Sequence, residues 1–445
     1  MHEKIEGSWG IDPVPERLRV LGLLDTSLLW GNLGVSLLVI VAGAALVPAL
    51  SLPGALAAIL LGSLIGNLML AVAGAIGASV RVPGMVLMRA SLGRRGSYLP
   101  TGINVLQGLG WSVFELLIIA TAAAALSDKV FGFRAQSIWT LVFGAVTLAL
   151  GLMGPIGFVR RFVRRIAVWA VPVGVVYLTW WTLHGAHLGA LWHAPGAGGL
   201  SVWQGADVVV GITVSWVPYA ADYTRFCRDR RGAFLGTGLG YLVPDAWLLG
   251  LGAVLVLSKS LTDPAALPTA VVAGGFAATL ALFALLVTET DEAFANVYSA
   301  AVSLQNLLPR APQKLLIGLV TVAAVMGALV ADLVSYQSFL LLLGSFFVPL
   351  FAVLLADWAT AGRHYSEADV FEAPDWRPGL VLAWVAGFSV YQWLYPTGPS
   401  WWVDLVGRLN PPDWGIGATV PSFLVAFALA AMVSLAARRL RTAPA

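Results

Sequence analysis

Long apolar stretches alternate with short polar connections along most of the chain. A helix that crosses a bilayer needs about 20 mostly apolar residues. On this criterion the sequence predicts twelve spans, at residues 26–50, 53–78, 99–126, 136–153, 166–184, 204–225, 235–258, 269–300, 314–333, 335–358, 378–395 and 419–438. All of them should be helical, because a backbone in lipid must satisfy its hydrogen bonds within the segment.

The composition also indicates an all-α polytopic membrane protein. Of the 445 residues, 59% are hydrophobic and 11% are charged, and the mean hydropathy is +0.84. A soluble domain has about a quarter charged residues. Residues 1–24 are mixed and charged, so we expect no cleavable signal peptide and a first apolar run that is retained as a span. The single cysteine, Cys227, excludes an internal disulfide.

The basic residues predict how the spans are oriented. With the N-terminus in the cytoplasm, the external segments contain only Lys129, Arg134, Lys259 and Arg408 of the 26 basic residues. The positive-inside rule therefore favours cytoplasmic N- and C-termini in the cell inner (plasma) membrane. Because these charges lie in short loops and not on one folded face, the net charge of +3 does not indicate binding to nucleic acid.

Polar residues recur at every fourth position of the third span. Gln107, Trp111 and Glu115 share one helical face, and Asn104 extends it. Trp111 could stack on a flat heteroaromatic ring, and an ionised Glu115 could accept hydrogen bonds from its N–H groups. The alternative is a helix-packing face, with Gly108 allowing close approach.

The eighth span carries three acids in an apolar run. Its polar stripe consists of Thr288, Asp291, Glu292, Ala295, Asn296 and Ser299, and Glu289 is the third acid. Each acid would cost roughly 3 kcal/mol at the bilayer centre. Carboxylates and hydroxyls can hold Na⁺ or exchange protons, so we expect this span to take part in coupling.

Two spans have the composition of interrupted helices. The first contains Gly31, Asn32, Gly34 and Ser36, and the sixth contains Gly211, Ser215, Trp216 and Pro218. Interrupted helices at corresponding positions of two halves are typical of inverted-repeat transporters with a binding site near the midplane. At the end of the sixth span, Asp222 and Arg225 could pair in a gate or in a structural anchor, and we favour the anchor.

Five segments in order resemble the nucleobase:cation symporter-1, or purine–cytosine permease, family. They are PGMVLMRASLGRRGSYLP at 83–100, Gln107 through Trp111, SWVPYAADYTRF at 215–226, TETDEAFANVYSAAVSLQN at 288–306 and YQSFLLLLGSFFVPLFAVLLADW at 336–358. The resemblance implies a leucine-transporter-like fold and cation-coupled uptake of a nucleobase or related ring by alternating access. The implied organisation is a tail at 1–25, five-helix repeats at 26–184 and 204–358, two peripheral helices at 378–438 and a tail at 439–445.

The resemblance and the polar patterns together give three sets of candidate residues. Substrate binding is assigned to Trp111, Glu115, Gln107, Asn32, Thr213, Ser215, Trp216 and Asn296. Cation binding is assigned to Leu33, Ser36, Val287, Thr290 and Asp291, and a gating or structural role to Glu292, Asp222 and Arg225. Asp291 stands where Na⁺-coupled relatives have a hydroxyl, so both Na⁺ and H⁺ stay open as the coupling ion.

Several questions of function stay open at this point. Cytosine, purine and hydroxymethylpyrimidine all suit the ring site, and the alternative is a symporter of the same fold for an amino acid or another non-aromatic solute. The sequence has no HExxH or GxSxG motif and no repeated filter motif, so a transporter is favoured over an enzyme or a channel. We expect lipid, a small solute and a coupling cation as partners, with no cofactor and no metal other than Na⁺.

Overall fold

The computed structural model describes residues 9–259, 275–331, 336–409 and 414–442, and helices make up nearly all of their regular structure. The α-helices are α1 (Leu23–Leu33), α2 (Leu37–Ala44), α3 (Leu52–Val80), α4 (Gly84–Leu92), α5 (Tyr98–Phe131), α6 (Gln136–Gly157), α7 (Val168–Leu183), α8 (Leu188–His193), α9 (Val202–Ser215), α10 (Ala220–Thr224), α11 (Arg230–Lys259), α12 (Phe276–Leu307), α13 (Gln313–Ala328), α14 (Tyr336–Thr360), α15 (Glu367–Phe371), α16 (Pro378–Leu394), α17 (Ser400–Gly407) and α18 (Thr419–Thr442). A π-helix, Phe158–Ala167, joins α6 to α7.

The helices agree with the predicted apolar stretches. Within the described ranges, six helices are long and apolar enough to cross a membrane, and the bent pair of α1 and α2 would make a seventh span. Three shorter apolar helices are Val171–Leu183, Gln313–Ala328 and Pro378–Leu394. The all-α membrane fold is therefore confirmed, and the number of twelve crossings stays a prediction. The predicted start of the eighth span, at 269, lies outside the described residues.

The first span is interrupted where its glycines and Ser36 cluster. Helix α1 ends at Leu33, α2 begins at Leu37, and the two axes are bent by 57°. At the break the chain passes close to α11: a Cβ on Gly34 would lie 2.8 Å from Pro244 Cγ. Only glycine fits this approach without a shift of the neighbouring helix.

The sixth span is interrupted as well. Helix α9 ends at Ser215, a 3₁₀ turn follows at Val217–Tyr219, and α10 begins at Ala220. Pro218 lies in this turn and has no backbone N–H to donate to a continuing helix. Both predicted interruptions are thus present.

The longest central helices lie side by side and bring the two interruptions together. Helix α5 packs along α12, and α3 packs against both α9 and α11. Helices α14, α16 and α18 pack on one another, and α14 also packs against α9. At Gly108 of α5 an added Cβ would lie 3.3 Å from the Asn296 carbonyl oxygen of α12, which explains the small residue at this position.

Candidate functional site

The polar stripe of α5 is buried and reaches the interruption between α9 and α10. Gln107, Trp111 and Glu115 are all buried. The Gln107 Nε2 donates to the Ser215 carbonyl oxygen at 2.9 Å and to Asn104 Oδ1 at 2.7 Å. The first bond satisfies a carbonyl at the end of α9, where the helix no longer supplies a partner. Two predicted site residues, Gln107 and Ser215, therefore meet directly.

The Trp111 ring contacts α14 through an aromatic pair. Its centroid lies 5.4 Å from that of Phe339, with an interplanar angle of 71°, which is an edge-to-face arrangement. The Phe114 ring packs on Phe339 as well, with 5.3 Å between the two centroids. Phe339 is not among the predicted site residues, although it lies in the segment 336–358 that resembles the permease family. The hydrophobic pattern alone gives no signal for it.

Trp216 belongs to a second aromatic cluster. Its ring centroid lies 6.0 Å from that of Trp30, 6.1 Å from that of Tyr219 and 6.3 Å from that of Tyr241. These partners place Trp216 against α1 and α11. The arrangement of its ring is set by packing within this cluster.

A carboxylate from α12 caps the second half of the first span. Glu289 accepts hydrogen bonds from the Leu37 backbone N–H and from the Ser36 hydroxyl. The Ser36 oxygen in turn accepts from the Leu38 N–H at 3.0 Å. A negative charge at a helix N-terminus is favourable, because the unpaired N–H groups point toward it. From the sequence, Glu289 is expected to take part in coupling as one of three clustered acids, but its contact with α2 is not predicted.

Three buried carboxylates meet beside this cap. Glu115 of α5 faces both Glu289 and Glu292 of α12. Neither Glu115 oxygen accepts a hydrogen bond from an N–H or hydroxyl group of the described residues, so its carboxyl group can pair only with those of Glu289 and Glu292 through a shared proton. No ion pair of the described residues includes any of the three acids. Adjacent carboxylates cannot all carry their charge without a proton or a cation between them. In the described ranges no group of His, Cys, Asp or Glu has the arrangement of a metal site.

The other proposed cation ligands are distributed around the same interruption. Asn32 and Leu33 at the end of α1 are buried, as are Thr290 and Asp291. The side chain of Val287 lies outside the described residues. The acids that contact Ser36 are Glu289 and Glu292. Asp291 lies between them in sequence, and residues one or two positions apart on a helix do not share a face, so Asp291 is not on the face that meets Ser36. Asp291 is buried with both oxygens lacking a hydrogen-bond partner.

Asn296 and Thr213 lie on different sides of the centre. The Asn296 Nδ2 donates to the Glu292 carbonyl oxygen within α12, at 3.1 Å. Thr213 faces Gly66 of α3 and lies beside Asp245 of α11. Asp245 is a buried acid that the sequence analysis missed, and it accepts a hydrogen bond from Ser63 at 3.0 Å. The Asn296 side chain is therefore bonded within its own helix, and Thr213 lies between α3 and α11.

Asp222 and Arg225 each bind other parts of the chain and do not pair through their side chains. Asp222 Oδ1 accepts from the Gly84 N–H at the start of α4, at 2.9 Å. Arg225 donates to the Gly10 carbonyl at 2.8 Å, to the Trp9 carbonyl at 3.1 Å and to the Tyr298 hydroxyl at 3.1 Å. Through Arg225, these contacts hold the N-terminal segment at the end of α10, beside Tyr298 of α12. Because most of them involve backbone groups, they favour a structural role over a side-chain pair that opens and closes.

Known proteins support the family that the motifs suggest. The chain is 28% identical over 177 residues to the purine-cytosine permease fcyB of Emericella nidulans, with 37% of this chain and 33% of that protein covered. It is 28% identical over 307 residues to the hydantoin permease of Microbacterium maritypicum, with 62% and 60% covered. The matched segments thus span about a third and three-fifths of these relatives.

A solved structure supports the fold. The structure of Mhp1, a nucleobase-cation-symport-1 family transporter in a closed conformation with bromovinylhydantoin bound, matches with a TM-score of 0.76 at 21% identity, covering 97% of this chain and 96% of that one. The predicted leucine-transporter-like fold class is confirmed by this likeness. A family model described as a permease for cytosine/purines, uracil, thiamine and allantoin matches residues 13–373. The match covers most of the sequence, and the chain belongs to this permease family.

Proposed function

We propose that the protein takes up a nucleobase or a related flat heteroaromatic compound, coupled to a cation, by alternating access. The permease family already indicates a membrane transporter. The substrate class follows from the relatives, one named for purine and cytosine and the other for hydantoin. These are planar nitrogen rings, the shape for which an aromatic side chain flanked by polar groups is suited.

One observation carries this proposal: a single face of α5 touches both interrupted spans. Gln107 binds the carbonyl of Ser215 at the end of α9. Two turns further along, Glu115 faces Glu289, the residue that caps α2. Eight residues of helix separate these contacts by about 12 Å. Trp111 lies midway, so a ring stacked on it would lie between the two interruptions.

In this proposal the ring contacts the chain on one face and one edge. Trp111 provides the stacking surface, backed by Phe339. Glu115 has two buried oxygens without donors and would accept hydrogen bonds from ring N–H or amino groups. Asn32, Ser215, Trp216, Thr213 and Asn296 complete the proposed substrate set around the interruptions. An edge rich in donors, such as that of an aminopyrimidine, suits this arrangement.

We place coupling at the three carboxylates and the start of α2. Glu115, Glu289 and Glu292 concentrate negative charge where the broken first span exposes backbone groups. Either Na⁺ or H⁺ would offset this charge, with Leu33, Ser36, Val287, Thr290 and Asp291 as the further cation ligands. Because Glu115 belongs to both groups, loading of the cation and binding of the ring would depend on each other.

The arrangement in the membrane is part of the proposal. The positive-inside pattern favours both termini on the cytoplasmic side of the inner membrane. The two interruptions fall in corresponding positions of the halves 26–184 and 204–358, as an inverted repeat requires. Arg225, which fastens residues Trp9 and Gly10, would then stabilise closure on the cytoplasmic side.

Uptake by the purified protein in liposomes tests this function. Radiolabelled cytosine, a purine and an aminopyrimidine are each offered with an inward Na⁺ gradient, an inward proton gradient or neither. We expect accumulation of at least one ring under one gradient, and competition from other flat rings. Transport that only amino acids inhibit would instead favour the non-aromatic alternative, and a chemically altered product would exclude simple transport.

The coupling part is tested separately with Glu289→Gln. We expect the variant to bind the ring but to lose most of the dependence on the cation that drives the wild type. Retained cation dependence would contradict the role given to Glu289, while leaving the ring site unaffected.

A further inference from the structure

A basic pocket lies between the N-terminal segment and the π-helical connection from α6 to α7. It has a volume of about 140 Å³, and its lining includes Arg17, Leu18, Val20, Ile156, Arg160 and Arg161. This is on the order of ten times the volume that one water needs. No acidic side chain of the described residues lines it. None of its lining residues is assigned to the transport site.

Two acids of the described neighbouring segments are paired with arginines that do not line the pocket. Glu16 pairs with Arg19 at 2.8 Å and with Arg81 at 3.2 Å. Asp25 pairs with Arg164, which lies on the π-helix but does not line the pocket. Arg17 and Arg160 are exposed, and neither takes part in an ion pair of the described residues. Arg17 and Arg160 therefore give the pocket a local excess of positive charge.

The exposed side chains around the pocket favour a position at the level of lipid headgroups. Phe158 and Val163 of the π-helix are buried against the helices, while its arginines are exposed. Immediately after it, Trp169 is 73% exposed and Ile166 is 47% exposed. Exposed tryptophan beside arginine is typical of the membrane–water interface. The charge pattern assigns this interface to the cytoplasmic side.

We propose that this pocket binds the phosphate headgroup of an anionic phospholipid from the cytoplasmic leaflet. Guanidinium groups bind phosphate oxygens through two parallel hydrogen bonds, and basic pockets between helices on this side suit anionic headgroups. Arg17 comes from the N-terminal segment, and Arg160 and Arg161 come from the connection between α6 and α7. One headgroup would therefore hold two separate parts of the chain together, next to the ion pair of Arg164 with Asp25.

Native mass spectrometry of the full-length protein tests the proposal by counting bound lipids. The protein in neutral detergent is titrated with phosphatidylglycerol, with phosphatidylcholine or with inorganic phosphate at constant ionic strength. We expect one tight phosphatidylglycerol site, weakened about fivefold for each arginine removed by Arg17→Ala and Arg160→Ala. The matched control is Arg165→Ala, an exposed arginine of the same π-helix outside the pocket lining.

Three results would overturn this proposal. Equal weakening by Arg165→Ala would indicate general surface charge, and equal binding of phosphatidylcholine would exclude recognition of the anion. Competition by inorganic phosphate at similar concentration would assign the pocket to a soluble phosphate and not to a lipid. If Arg160→Ala does not fold, Arg160→Lys provides the comparison, since it keeps the charge but cannot form the paired bonds.

Discussion

Two buried carboxylates in this protein have opposite surroundings. Asp357, near the end of α14, accepts hydrogen bonds from both Nη atoms of Arg377, at 2.7 and 2.8 Å, from Tyr365 at 2.7 Å and from Ser434 at 2.7 Å. Glu115, in the middle of α5, has no donor for either oxygen and faces two further carboxylates. Both side chains are fully buried.

The difference lies in what stabilises each buried carboxylate. The four bonds to Asp357 join α14 and α18 to the connection that follows α14, and they repay the cost of burying the charge. At Glu115 the neighbours are two further carboxyl groups, which can share a proton but carry no compensating charge. An ionised carboxylate in such surroundings is destabilising, and in the proposed function a proton, a cation or the ring offsets its charge.

The largest expected effect is on stability at Asp357. Asp357→Ala leaves Arg377 without its carboxylate, and breaking a buried pair costs about 3–5 kcal/mol. We expect a large drop in the free energy of unfolding in detergent. The control is Asp404→Ala, which removes an exposed acid of α17 and should leave stability within about 0.5 kcal/mol. A free energy of unfolding equal to that of the wild type would contradict the structural role of Asp357.

The next effect is on uptake at the stacking residue. Trp111→Ala removes the surface on which the ring would lie, and we expect uptake to fall roughly 10- to 100-fold, as for loss of a binding hot spot. Trp169→Ala removes an exposed tryptophan of α7 and serves as the control. The measurement is initial uptake in liposomes per folded transporter. Normal transport by the Trp111 variant would show that the ring binds elsewhere.

Glu115→Gln sharpens the contrast with Asp357. The amide keeps the shape but removes an unpartnered charge, so the free energy of unfolding should stay the same or rise. Affinity for rings with donor edges should fall about tenfold, because a hydrogen bond to a charged group is worth about 1.5–3 kcal/mol. Calorimetric unfolding and equilibrium binding measure the two effects. A destabilised variant with unchanged ring affinity would mean that Glu115 is structural.

The smallest effect concerns the pH dependence of the contacts around Asp357. Burial, and then the Asp357 carboxylate, raise the pKa of the Tyr365 phenol well above its ordinary value. The folded state thus favours the protonated phenol, so its contribution is complete below about pH 10, the unfolded pKa, and declines as the pH rises further. Tyr365→Phe should cost about 1 kcal/mol and flatten the alkaline loss of stability. The free energy of unfolding of both proteins is measured at alkaline pH. If it declines equally with pH in the wild type and in the variant, this account of Tyr365 is wrong.

Much of the architecture could be predicted from the sequence. Apolar length places the helices, and glycine, Ser36 and Pro218 place the two interruptions, because these are local properties of the chain. The spacing of Gln107, Trp111 and Glu115 likewise predicts one buried face, which the structure contains.

The partners across helices could not be predicted in the same way. Glu289 contacts Ser36 and Leu37, which lie some 250 positions away along the chain, and only its spacing of three from Glu292 indicates a common face. Phe339 contacts Trp111 and Thr213 faces α3, because of how the helices pack. For Asp222 and Arg225, proximity on one helix suggests a pair, but unpaired backbone groups nearby are the partners that both side chains bind.

The position of a bound ring tests the central claim most directly. A structure of the protein determined with a transported ring should place that ring in stacking contact with Trp111, with a donor edge toward the oxygens of Glu115, between the ends of α1 and α9. A ring bound away from α5, with Glu115 still facing only Glu289 and Glu292, would contradict the account.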